Sequence, residues 1–189
     1  MIEPSVTVYP TQIDELQRLL GGVSKKIRRE LAIAVNETAK HAKGTIAKQI
    51  VAELAVTQKV VKDKLTVKRA NNADSNPTAK VTLDKTKGIP LRDFGARQNE
   101  TGVSVKISKS RGRKTIPSAF MVDRYGDHVY KRPTKARAVG RRKKGPSPWG
   151  VFVKNNLKEP TADDAKDVLR KNVERRIRFI KLKQSGAIS

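Results

Sequence analysis

The chain has 189 residues, and its 42 basic against 18 acidic residues leave a formal net charge of +24. Aromatic residues make up only 4% and cysteine is absent, which excludes disulfides, thiolate metal sites and cysteine nucleophiles. Two distant histidines (His41 and His128) make no metal site, no apolar run approaches the roughly 18 residues of a membrane span, and so one-sided a charge calls for an anionic partner or acidic neighbours.

Residues 1–10 read as an extended arm, with Val6, Val8 and Tyr9 ahead of Pro10. The first residues show no basic region followed by an apolar stretch, so no signal peptide is expected. Thr11 suits an N-cap, with Asp14 and Glu15 in the first turn. Apolar residues then fall at Ile13, Leu16, Leu20, Val23, Ile27, Leu31 and Ala34, in steps of three and four that mark a helix. Gly21 and Gly22 predict a break or bend, since together they cost roughly 2 kcal/mol of helix propensity. Ser24 to about Leu54 carries the longest helical signal, rich in alanine. Its small-residue face suits a seam between subunits or close packing onto the protein's own sheet, and the second is the expected use. Thr57 caps a short helix over Gln58 to Lys64, and Leu65-Thr66-Val67 leads out as a strand.

Residues 70–78 form a loop by composition. The period then changes to two: Ala79, Val81 and Leu83 alternate with polar residues, and so do Val103, Val105 and Ile107. Ile116 and Phe120 fall in a third candidate strand, Val129 and Tyr130 in a fourth. Such alternation describes antiparallel strands with one face covered and one wet. Residues 131–150 show no period and hold several prolines and glycines, so a long loop is expected. Pro160-Thr161 starts the last helix, with Thr161 as cap and Arg175, Arg176, Arg178, Lys181 and Lys183 near its C-terminal end, where cations suit the dipole.

The order predicts an α+β fold: long N-terminal helices packed on a small antiparallel sheet, with extended basic loops and a C-terminal helix. It reads as one domain, with an arm at 1–10, helices at 11–64, a sheet with a basic hairpin at 65–132, an extended loop at 133–160 and a helix at 161–184.

The charge is local. From Lys106 to Lys144 there are fourteen basic residues and two acidic ones, Asp123 and Asp127, a net +12 in 39 residues. Two clusters stand out: the hairpin tip with Lys109, Arg111, Arg113 and Lys114, and the segment with Lys131, Arg132, Lys135, Arg137, Arg141, Arg142, Lys143 and Lys144. Both suit phosphate contact without base readout, or the acidic face of a protein partner. Stacking platforms are scarce, and no zinc-finger, RNP or basic-zipper pattern is present. Trp149, beside Pro146 and Pro148, and Phe152 are candidate interface anchors, with a place in the core as the other reading for Trp149. No nucleophile–histidine–carboxylate set, P-loop or dinucleotide fingerprint assembles, so an enzyme is not expected, nor any cofactor or metal.

The segment order resembles the minor tail protein Z family of tailed bacteriophages, also called tail completion proteins. The resemblance rests on Leu31 to Ala39, with Ala34, Asn36, Thr38 and Ala39 as its core; on Lys59 to Leu65; on Ile89-Pro90-Leu91 leading to Phe94 through Gln98; on Gly102 to Val105; on the basic hairpin; on Ile116 to Phe120; on Val129 to Arg132; and on the Gly145-Pro146-Ser147 turn. It covers about residues 20–150. It implies a structural virion protein of the tail neck, assembled in the host cytoplasm, with no catalytic residues. The implied partners are further copies of itself in a ring, expected to be a hexamer, the tail terminator, the tail tube and the head connector, with genomic DNA in the lumen and no membrane. The implied work is joining tail to head and positioning the DNA end. The alternative from charge alone is a stand-alone basic protein that binds nucleic acid through phosphates, with steep salt dependence.

Overall fold

A computed structural model describes residues 5–8, 25–74, 76–85, 88–122, 126, 128–132 and 140–184. In chain order its elements are β1 (Ser5–Val8), α1 (Lys25–Glu53), α2 (Gln58–Lys62), β2 (Leu65–Lys68), β3 (Ala79–Leu83), a 3-10 helix (Leu91–Phe94), β4 (Arg97–Asn99), β5 (Gly102–Val105), β6 (Lys114–Pro117), β7 (Ala119–Val122), β8 (His128–Lys131), β9 (Arg141–Arg142), α3 (Pro148–Lys154) and α4 (Lys158–Gln184). This is the α+β composition expected, with the strands sorted into three three-stranded sheets. The expected helix cap at Thr11, the periodic residues up to Val23 and the break at Gly21-Gly22 lie outside the described residues.

The chain divides into two compact units, one of residues 1–46, 65–82 and 156–189, the other of 47–64 and 83–155. In the first, α1 buries Ile27, Leu31, Ala34, Val35, Thr38, Ala42 and Ile46, a stripe at helical spacing. The sheet runs β1-β3-β2, and β1 pairs antiparallel with β3 so that Val6 faces Val81. The resemblance motif holds this unit together. Asn36 Nδ2 donates to the Ala70 carbonyl at 3.2 Å, and its Oδ1 accepts from the Ala70 N–H at 2.8 Å. Thr38, fully buried, donates to the Ala34 carbonyl at 2.9 Å and accepts from Asn172 Nδ2 at 3.0 Å. The small residues around them, Ala34, Ala39 and Ala42, are fully buried, as close packing requires.

Two expectations for α4 change. It starts at Lys158, and Thr161 lies inside it, buried, with its hydroxyl donating to the Leu157 carbonyl at 2.6 Å rather than capping. Pro160 permits this, because a proline in the first turn lacks only an N–H that would have no helical partner. Arg175 and Arg176 do more than face a dipole. Arg175 Nη2 reaches Glu37 Oε2 at 2.5 Å, and Arg176 pairs with Glu37 and, at 3.4 Å, with Glu30.

The second unit carries the sheets β4-β5-β6 and β7-β8-β9. The third candidate strand forms as two, β6 and β7. Pro117 ends the first, and Ser118 turns the chain at φ 59° before the second. β5 does not alternate: all four of its residues are buried, because the side of Ser104 is covered by the Arg113 guanidinium. The segment expected as loop contains β9 and α3. Ser147 caps α3 by accepting from the Gly150 N–H at 3.1 Å, with Pro148 pre-set at the first helical position. Thr57 occupies the cap position of α2 but makes no side-chain cap bond.

Candidate functional site

The basic hairpin grows from the β5–β6 pair, where Val105 faces Lys114. Backbone bonds fix its base: Ala55 N–H to the Ile107 carbonyl at 2.9 Å, Lys109 N–H to the Glu53 carbonyl at 3.0 Å, and Lys106 N–H to the Phe94 carbonyl at 3.2 Å. The connecting segment is thus anchored at its start while Lys109, Arg111 and Lys114 stay exposed. Arg113 differs. Its guanidinium donates to the carbonyls of Gly95 and, at 2.9 Å, Ser104. Gly95 ends the 3-10 helix in a left-handed conformation, and its carbonyl has this side chain as a partner. Arg113 therefore braces the base of the hairpin through backbone carbonyls, although its side chain, like those of its basic neighbours, is exposed.

The second cluster is carried by β8 and β9, with Tyr130 opposite Arg142 and Lys131 opposite Arg141. Lys143 N–H bonds the Val129 carbonyl at 2.7 Å, and Lys144 bridges to Pro90. Gly145 follows, with its N–H on the Ile89 carbonyl at 2.8 Å. A Cβ there would meet the Phe94 ring at 2.5 Å, so the turn requires glycine. Arg141, Arg142, Lys143 and Lys144 are exposed, and Lys131 is half-buried. Arg132 lies 5.1 Å above the Phe120 ring, which in turn stacks with Tyr130 at 6.1 Å. Lys135 and Arg137 lie outside the described residues.

Charge is distributed unevenly between the units. By sequence the second holds 23 basic and 7 acidic residues, a net +16, and the first 19 and 11, a net +8. In the first unit, Glu30, Glu37, Asp163, Asp164 and Glu174 all have cationic or histidine partners. In the second, among the described residues, Lys109, Arg111, Lys114, Arg141, Arg142, Lys143 and Lys144 have no carboxylate partner. Unpaired exposed cations at this density create the field that attracts polyanions or acidic protein surfaces.

A prophage minor tail protein Z family model matches residues 12–183. The chain belongs to this family. No curated protein and no solved structure matches it. As a minor tail protein it is a structural component of the phage tail and of the virion. Among the described residues of this minor tail protein, no group of three histidines or carboxylates could hold a metal ion, and no helix is long and apolar enough to cross a membrane.

Beside the hairpin, the second unit of this minor tail protein forms a groove of about 440 Å³ between the hairpin and α3. Leu54, Val105, Ile107 and Val151 line it together with Arg111, Lys114 and Lys154. No periodicity pointed to this groove, because α3 was hidden in a segment without period. The Ser147-Pro148 pair was the available signal. Of the two proposed anchors, Trp149 is half-buried with a buried indole N–H that has no hydrogen-bond partner among the described residues, and Phe152 is 2% exposed.

Proposed function

We propose that this chain is a subunit of a ring at the head-proximal end of the phage tail, where it joins the tail tube and terminator to the head connector and helps position the DNA end. Family membership over residues 12–183 supports a structural role in the tail, with no chemical step assigned. The observation that favours the neck is the array of unpaired cations on the second unit. Such an array suits the phosphates of DNA passing through a lumen, where neutralisation and counterion release give grip without sequence preference. Facing outward, it suits acidic surfaces on connector or tube subunits.

Electron microscopy of purified tails that carry a tagged chain tests this. The expected result is tag density in a six-fold ring at the head-proximal end. Density elsewhere in the tail would remove the neck from the reading. A chain absent from particles but found on nucleic acid in infected cells would favour the stand-alone phosphate-binding protein.

A further inference from the structure

The groove beside the hairpin has an apolar floor of Leu54, Val105, Ile107 and Val151 and a predominantly cationic rim, with Arg111, Lys114 and Lys154 against the single carboxylate of Glu53. Among the described residues, none of these three cations has a carboxylate partner. The apolar floor sets it apart from the rest of the basic surface. A phosphate backbone gains from cations but nothing from aliphatic side chains. A protein segment that carries carboxylates gains from the rim while its own carbon atoms cover the floor.

Such a segment exists in this chain. Residues 159–167 hold four acids, Glu159, Asp163, Asp164 and Asp167, against one lysine, a net −3 in a chain of net +24. Glu159, Asp163 and Asp167 follow one another at four-residue steps on α4, so they stand on one face of the helix, and all three are exposed. They form a ridge roughly 12 Å long. Asp163 has only an intrahelical lysine partner, exposed on both sides, and Glu159 and Asp167 have no ion-pair partner among the described residues. Exposed Pro160 adds apolar surface to the ridge. The other exposed apolar pair on α4, Phe179 and Leu182, stands among Arg178 and Lys181, whose charge opposes the rim.

We propose that the groove of one copy receives the acidic ridge of α4 from a second copy, and that this contact is the seam between neighbours in the ring. The proposal rests on the ring reading above. Groove and ridge are unlike patches, so each copy can offer both, and a contact that repeats in this way yields a ring where its rotation closes.

Because the chain has no cysteine, a cross-link can be placed without background. Tails are assembled from two differently tagged full-length chains, one with Lys154→Cys and one with Asp163→Cys. Mild oxidation is expected to give a disulfide-linked species that carries both tags. Adding Glu159→Lys and Asp167→Lys to the second chain is expected to lower its yield about tenfold or more, and adding Arg111→Glu and Lys114→Glu to the first is expected to restore it. That recovery separates the contact from misfolding. Tails with a neck ring but no two-tag species overturn this seam and leave the ring reading in place. In a parallel assembly with a photoactivatable cross-linker at position 154, capture of DNA in place of the second chain also overturns it. If no ring is found in tails, the two-tag species formed by the free chains in solution decides: its presence supports the contact and its absence overturns it.

Discussion

Replacing Asn36 by alanine isolates the clamp between α1 and the start of the 70–78 loop. The side chain satisfies both polar groups of one residue: Ala70 donates its N–H to Asn36 Oδ1 at 2.8 Å, and its carbonyl accepts from Nδ2 at 3.2 Å. Ala70 is 8% exposed, so water replaces these bonds poorly once the amide is gone. A buried group left without a partner costs about 1–3 kcal/mol. Asn36 itself is half-buried, which lets water reach part of the site, and a total loss of about 2 kcal/mol follows. For a chain of this length that corresponds to a fall in thermal midpoint of about 4–8 °C. Thermal and urea unfolding measure the loss, and amide hydrogen exchange at Ala70 locates it. Asn36→Asp keeps the acceptor but not the donor, and about half the loss is expected. An Asn36→Ala protein within about 0.5 kcal/mol of the parent, with unchanged exchange protection at Ala70, would refute the assignment.

Three further outcomes are expected. Arg113→Ala should cost about 1–2 kcal/mol in urea unfolding, because it strips charge-assisted bonds from the Gly95 and Ser104 carbonyls, whereas Arg111→Ala should stay within about 0.5 kcal/mol. Equal losses at the two positions would contradict the division of roles within the hairpin. Gly145→Ala should destabilise by about 1–3 kcal/mol by pressing on the Phe94 ring, and adding Phe94→Leu to it should recover part of the loss in the same melt. Glu37→Gln should lose about 1 kcal/mol at low salt and less at high salt, since its partners Arg175 and Arg176 are partly exposed; a loss independent of salt would point to packing instead.

Where the sequence speaks in a single period, it locates elements closely. The stripe Ile27, Leu31 and Ala34 lies on α1, and the alternation of Ala79, Val81 and Leu83 lies on β3 with all three buried. It speaks less clearly where a distant side chain changes a residue's surroundings. Ser104 is polar and reads as wet, yet a guanidinium nine residues on covers it. Thr161 has the composition of a cap, yet the helix begins three residues earlier, because nothing local forbids proline in a first turn. For the site, the density of cations was legible and their division was not. Arg113 and Arg111 are alike in sequence, and only the fold gives one of them backbone carbonyls to hold.

The contacts that close the first unit join residues far apart in the chain: Asn172 to Thr38 across 134 residues, and Arg175 to Glu37 across 138. Every residue of the second unit precedes position 156, so that unit is fully synthesised before α4. At roughly 5–20 residues per second, a ribosome takes about 7–27 s to travel from Thr38 to Asn172. Through that interval the apolar stripe of α1 has been made and its partner helix has not. Translation therefore orders the two units in time, and the nascent chain carries an unmatched hydrophobic face until α4 emerges.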